Sequence, residues 1–149
     1  MTTSDPATRH LTDAECWELL RTTSVGRLAV DIAGQPDIFP INFVVDGESI
    51  VFRSAAGTKL AGAVLNRFVA FEIDGYYPDE RVAWSVVLKG SARQIERMQE
   101  VFDAEDLPLF PWLTGEKPNF VRVDPTSLTG RRYHIVDDVE PDASLGTTG

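Results

Sequence analysis

A chain of 149 residues, 43% hydrophobic and 25% charged, is long enough for one domain with a buried core. Its net charge of −9 and pI near 4.6 argue against nucleic acid or an anionic membrane as the main partner. One cysteine, Cys16, excludes an intramolecular disulfide or a cysteine-rich zinc site. Two distant histidines, His10 and His134, argue against a Ser/His/Asp triad or a histidine metal centre.

No apolar signal core opens the chain, and no run approaches the roughly 20 apolar residues of a membrane span, so a cytoplasmic protein is expected. Residues 1–10 have little to bury and are expected to be disordered. Thr12 and Glu15 form a capping box for a short helix with Cys16, Leu19 and Leu20 on one face. In residues 25–32, Leu28, Val30 and Ile32 alternate with Arg27, Ala29 and Asp31, which makes a strand with one core face. A turn follows at 33–36.

The strand at 37–45 contains Pro40, which has no N–H for a ladder, so it is expected at an edge or bulged there. Asp46-Gly47 signals a hairpin, and residues 50–53 form its second strand. Residues 58–66 read as a short helix and 68–74 as a strand. Residues 75–80 read as a polar, tyrosine-bearing loop, and 82–95 as a long strand bent or bulged near Gly90. Residues 96–105 resemble another helix, and 106–118 a proline-rich loop. The last strands are expected at 119–123 and 128–136, joined by a turn at Asp124-Pro125. The acidic tail from Asp137 is expected to be disordered. Many strands at hairpin spacing with two or three short helices indicate a mainly β, closed antiparallel barrel spanning 11–136. An open sheet of this size would expose long apolar edges.

Arg53, Ser54, Gly57, Thr58 and Lys59 place two cations, two hydroxyls and a glycine within seven residues at a strand end. That set suits a phosphate monoester, and it also suits a solvated loop with a helix cap. It lacks P-loop spacing. Pro40, Ile41, Asn42 and Phe43 form either a half-exposed edge strand or a stretch whose backbone meets the polar edge of a flat heterocycle. Trp84 and Ser85 lie on opposite faces of one strand, where Trp84 is a core or interface aromatic or the wall of a cleft. The apolar loop ending in Phe110-Pro111-Trp112 covers a core or a partner, or touches a ligand. Arg27 and Gly130-Arg131-Arg132 are solvated or supply a second cationic contact.

The ordered set of these segments resembles the pyridoxamine 5′-phosphate oxidase-like flavin-binding split barrels, closest to their actinobacterial branch. It runs from Val25-Gly26-Arg27-Leu28-Ala29 through Pro40-Ile41-Asn42-Phe43 and Phe52-Arg53-Ser54 with Gly57-Thr58-Lys59. It continues with Val69 to Gly75, Trp84-Ser85-Val86, Lys89-Gly90-Ser91-Ala92 and Thr129-Gly130-Arg131-Arg132. The resemblance implies a six-stranded split β-barrel that forms a homodimer and binds FMN in two clefts at the dimer interface. It assigns the phosphate to Arg53, Ser54 and Lys59, beside which the Thr58 hydroxyl is expected to donate a further hydrogen bond, and lays the Pro40 to Phe43 strand along the isoalloxazine. Trp84, Ser85 and Trp112 become further cofactor contacts, Trp112 from the second subunit.

Such a protein is expected to be an oxidoreductase acting on a small molecule. The alternatives are the deazaflavin coenzyme F420 on the same fold, and a non-catalytic flavin or haem carrier. The sequence departs from true pyridoxamine phosphate oxidases after Arg131-Arg132-Tyr133-His134, where it turns acidic. Neither histidine lies in the segment where nitroimidazole-reductase-like relatives carry one.

Overall fold

The computed structural model describes residues 8–55, 64, 67–95 and 118–135. Its elements are β1 (Thr8–His10), α1 (Asp13–Arg21), β2 (Val25–Ile32), β3 (Gln35–Asp46), β4 (Ser49–Ala55), β5 (Arg67–Tyr77), β6 (Val82–Gln94) and β7 (Pro118–His134). The expected helix at 96–105, the loop with Trp112 and the acidic tail lie outside the described residues. Of the expected helix at 58–66, Val64 is described; it is helical and fully buried.

All strand pairings are antiparallel, in the order β1-β7-β4-β3-β2-β5-β6, and β6 pairs again with β7. Six strands thus close into a ring, the expected barrel, and closure removes the exposed edges of an open sheet. β1 joins β7 from outside the ring, with Thr8 opposite Tyr133 and His10 opposite Arg131. Disorder was expected there. Backbone pairing, which needs no apolar side chain, orders these three residues instead, and Leu11 N donates to Gly130 O at 2.9 Å.

Strand alternation fills the barrel. Leu28, Ile41, Phe43, Ile50, Phe52, Phe71, Ile73, Val86, Leu88, Val121 and Val123 join one apolar cluster. Each fully buried side chain of this size contributes roughly 1.5–3 kcal/mol. α1 adds Cys16, Trp17 and Leu20 to the cluster. Its N-terminus carries the expected capping box: Glu15 N donates to Thr12 Oγ1 at 3.2 Å, and Thr12 N donates to Glu15 Oε1 at 3.0 Å.

Two expectations about strand ends change. Residues 75–77 continue β5 rather than opening a loop, because Gly75 lies opposite Trp84 and leaves space for its indole. The turn contracts to residues 78–81, where Arg81 N donates to Pro78 O at 3.2 Å. Asp124-Pro125 does not end a strand either, for β7 runs unbroken from Pro118 to His134. Lys89 faces Ser127 and Gly90 faces Pro125, so Thr126 is an extra residue in a bulge. The bulge absorbs the proline's missing N–H, and Thr126 Oγ1 donates to Lys89 O at 3.2 Å.

Candidate functional site: the divergence of β3 and β4

β3 and β4 begin as a tight hairpin and then separate. Their ladder runs from Asp46 opposite Ser49 to Phe43 opposite Phe52, and ends there. Beyond it β3 follows β2, with Asn42 opposite Val25 and Pro40 opposite Arg27. β4 follows β7, with Arg53 opposite Phe120 and Ser54 opposite Asn119. Residues 40–42 and 53–55 therefore form two strand edges with no ladder between them. Pro40 sits where the sequence required an edge.

Polar atoms at this divergence lack partners. Among the described residues, Arg53 Nε and Ser54 Oγ are buried without a hydrogen bond, and Ser54 is 4% exposed. Leaving such a group unsatisfied costs about 1–3 kcal/mol. Arg53 has no carboxylate partner among the described residues; its guanidinium carbon lies over the Phe120 ring, 5.5 Å from the centroid. Other arginines are neutralised: Arg9 by Glu15, Arg93 by Asp124, Arg122 by Asp46, and Arg27 by both Glu72 and Asp74. Alternation sends Ser54 to the face of Ile50 and Phe52, and Arg53 to the face of Val51. One ligand reaches both only along the strand edge.

The other expected site residues fall differently. Ile41 and Phe43 turn their side chains into the core, and Phe43 meets Phe71 edge-on at 4.7 Å. Any contact they offer a ligand comes from the backbone. Asn42 Nδ2 donates to Ser24 O at 2.9 Å, as does Phe43 N at 3.0 Å, which ties β3 to the segment before β2. Thr58, Lys59 and Trp112 lie outside the described residues.

Trp84 and Ser85 lie at the far end of β7. Trp84 pairs with Arg132 and Ser85 with Arg131, whereas Arg53 pairs with Phe120. Arg131 lies eleven positions beyond Phe120 along β7, at most about 36 Å of strand contour. Trp84 is a core residue, 8% exposed, with its indole N–H unpartnered. Ser85 faces outward opposite Asp74.

Beside Ser85, Arg27 bridges Glu72 and Asp74 at 2.5 and 2.8 Å, so it is not an open cationic contact. Its own pKa is raised, chiefly by the Glu72 hydrogen bond. Glu72 is pulled both ways: burial and Asp74 push its pKa up, Arg27 pushes it down, and the net direction is up. Burial likewise raises the Cys16 thiol, which is no ready nucleophile. Among the described residues no group of three or more His, Cys, Asp or Glu could hold a metal ion, and no helix is long and apolar enough to cross a membrane.

Sequence reasoning overlooked Phe120. Its signal was the adjacent apolar pair Phe120-Val121, one of which must face away from the barrel interior. Phe120 does, and it is buried with Val51 and Ile95 in a second, smaller cluster.

The family model described as pyridoxamine 5′-phosphate oxidase matches residues 12–132. An uncharacterized protein of Mycobacterium tuberculosis is 39% identical over 101 residues, 68% of this chain and 88% of that protein. Among solved structures, the FAD binding protein from Mycobacterium smegmatis is 38% identical with a TM-score of 0.79, covering 86% of this chain and all of that one. A conserved protein from Corynebacterium diphtheriae is 37% identical with a TM-score of 0.72, covering 85% of this chain and 98% of that one. With a six-stranded antiparallel ring and a family match spanning most of its length, the chain belongs to the pyridoxamine 5′-phosphate oxidase family.

Proposed function

We propose that this chain binds a flavin nucleotide through its phosphate at Arg53, as a homodimer, and serves as an oxidoreductase for a small molecule. The observation that carries this reading is the pair of buried, unpartnered atoms Arg53 Nε and Ser54 Oγ at the divergence of β3 and β4. A phosphate fits that donor set: the guanidinium supplies charge and a planar fork, and the hydroxyl supplies a further donor at the strand edge. Thr58 and Lys59, which follow in sequence, add a hydroxyl and a second cation. The β3 backbone at 40–42 would lie along the ring system.

FMN is the smallest flavin that carries a phosphate. FAD, which the Mycobacterium smegmatis relative is named for binding, carries the same ribityl phosphate with an adenylyl extension. Coenzyme F420 is the deazaflavin alternative. A bound flavin supplies the hydride or electron chemistry, while the protein binds it, orients it and limits access to it. No side-chain acid or base is required of this site. Ser85 stands at the other end of β7 from Arg53, which favours a dimer in which the second copy brings Ser85 to the same ligand.

The test is to purify the protein, record its visible spectrum and titrate it with FMN, FAD and F420. A colourless protein that takes up none of them at micromolar concentration would sink the proposal. Stopped-flow reduction by NADPH or reduced F420 separates an oxidoreductase from a flavin carrier, and light scattering measures the assembly.

A further inference from the structure

We infer that Phe120 is a positioning residue for phosphate recognition, acting through Arg53. The inference rests on the flavin reading above. Phe120 and Arg53 are direct cross-strand partners on β7 and β4. The guanidinium carbon lies 5.5 Å from the ring centroid, within the range of a cation–π contact. Phe120 is 7% exposed and packs with Val51 and Ile95, so its ring has little freedom to turn away. The backbone fixes it as well, since Ile95 N donates to Phe120 O at 2.9 Å.

The ring solves a problem that a carboxylate could not. Asp or Glu at this position would hold Arg53 but occupy its N–H donors and cancel its charge. That is what Asp46 does to Arg122 and Asp124 does to Arg93. An aromatic face attracts the cation electrostatically while accepting no conventional hydrogen bond from it. Arg53 is thereby held at the β3/β4 divergence with charge and donors kept for an anion. The unpartnered Nε is the structural trace of that arrangement.

The experiment compares FMN with riboflavin, which has the same ring system and no phosphate, on wild type, Phe120→Leu and Phe120→Tyr. Binding is read by flavin fluorescence, and circular dichroism confirms that each variant is folded. Phe120→Leu should weaken FMN binding about three- to tenfold and leave riboflavin binding where it was, and Phe120→Tyr should restore FMN binding. In an Arg53→Gln background, Phe120→Leu should have no further effect on FMN. Equal loss for both ligands would make Phe120 a structural wall and overturn the inference alone, as would unchanged FMN affinity. Wild-type protein that binds neither ligand would overturn the flavin reading and the inference with it.

Discussion

Trp84 crosses Gly75 so closely that a Cβ on the glycine would meet the indole Cε2 and Nε1 at 2.5 Å. The two are cross-strand partners on β5 and β6, and the indole belongs to the main apolar cluster. Gly75→Ala must therefore displace the indole. We expect it to lower the unfolding free energy by about 1–3 kcal/mol, the usual range for overpacking, and to shift tryptophan emission to the red. Urea denaturation followed by fluorescence measures both, and an unchanged midpoint would contradict the packing.

Gly90 faces a harder obstacle. A Cβ there would strike the carbonyl group of Asp124 and the Cα of Pro125, which are backbone and cannot rotate aside. Gly90→Ala should be more destabilising than Gly75→Ala, by about 3 kcal/mol or more, because the bulge opposite would have to shift. Soluble yield and the thermal midpoint of the two variants, compared side by side, test the order.

Replacing Arg53 separates binding from stability. Arg53→Gln should weaken FMN binding by about 1.5–3 kcal/mol, the range for a hydrogen bond to a charged group. Arg53→Met should leave the ligand-free protein as stable as wild type or more so, since it removes a buried donor that has no partner. Ligand titration and thermal unfolding without ligand give the two numbers. A large loss of ligand-free stability in Arg53→Met would recast Arg53 as a structural residue.

Two glutamates should bend the pH–stability curve in opposite directions. Glu15, which pairs with Arg9 and accepts from Thr12 N, has its pKa lowered from 4.5 to about 2, chiefly by the Arg9 hydrogen bond. A depressed folded pKa gives a contribution that is present above about pH 4.5 and lost as pH falls toward 2. Glu72 has a raised pKa, with burial the largest cause. Its contribution is present below the ordinary carboxylate pKa and is lost as pH rises through the raised value. Glu15→Gln should flatten the acid limb, and Glu72→Gln should remove the decline above it. Urea midpoints from pH 2 to 8 check both, and the Glu15 effect should shrink in high salt because its partner Arg9 is exposed.

Much of the barrel is written locally. The alternation of Leu28, Val30 and Ile32, the capping box of Thr12 and Glu15, the hairpin at Asp46-Gly47 and the irregularity at Gly90 all appear in the structure. Each is a signal carried by residues a few positions apart. The errors fell where a distant partner overrules a local breaker. Pro125 looked like a strand end until Gly90 and a bulge made room for it. Gly75 looked like the start of a loop until Trp84 filled the space beside it. Among the site residues, Arg53, Ser54 and Pro40 lie on the two strand edges of one divergence, whereas Trp84 and Ser85 pair with the other end of β7.

The sequence by itself determined the fold class and the chemistry on offer: an acidic chain of alternating strands, with a cation and hydroxyls clustered at one strand end. Periodicity and residue type are local quantities, and they suffice for that. Only the tertiary structure decided which polar atoms go unsatisfied, because that depends on partners tens of residues away. Arg53 is a candidate anchor because Phe120, some seventy positions later, holds it without neutralising it. Arg27, just as cationic in sequence, is not a candidate, because Glu72 and Asp74 come to meet it across the barrel wall.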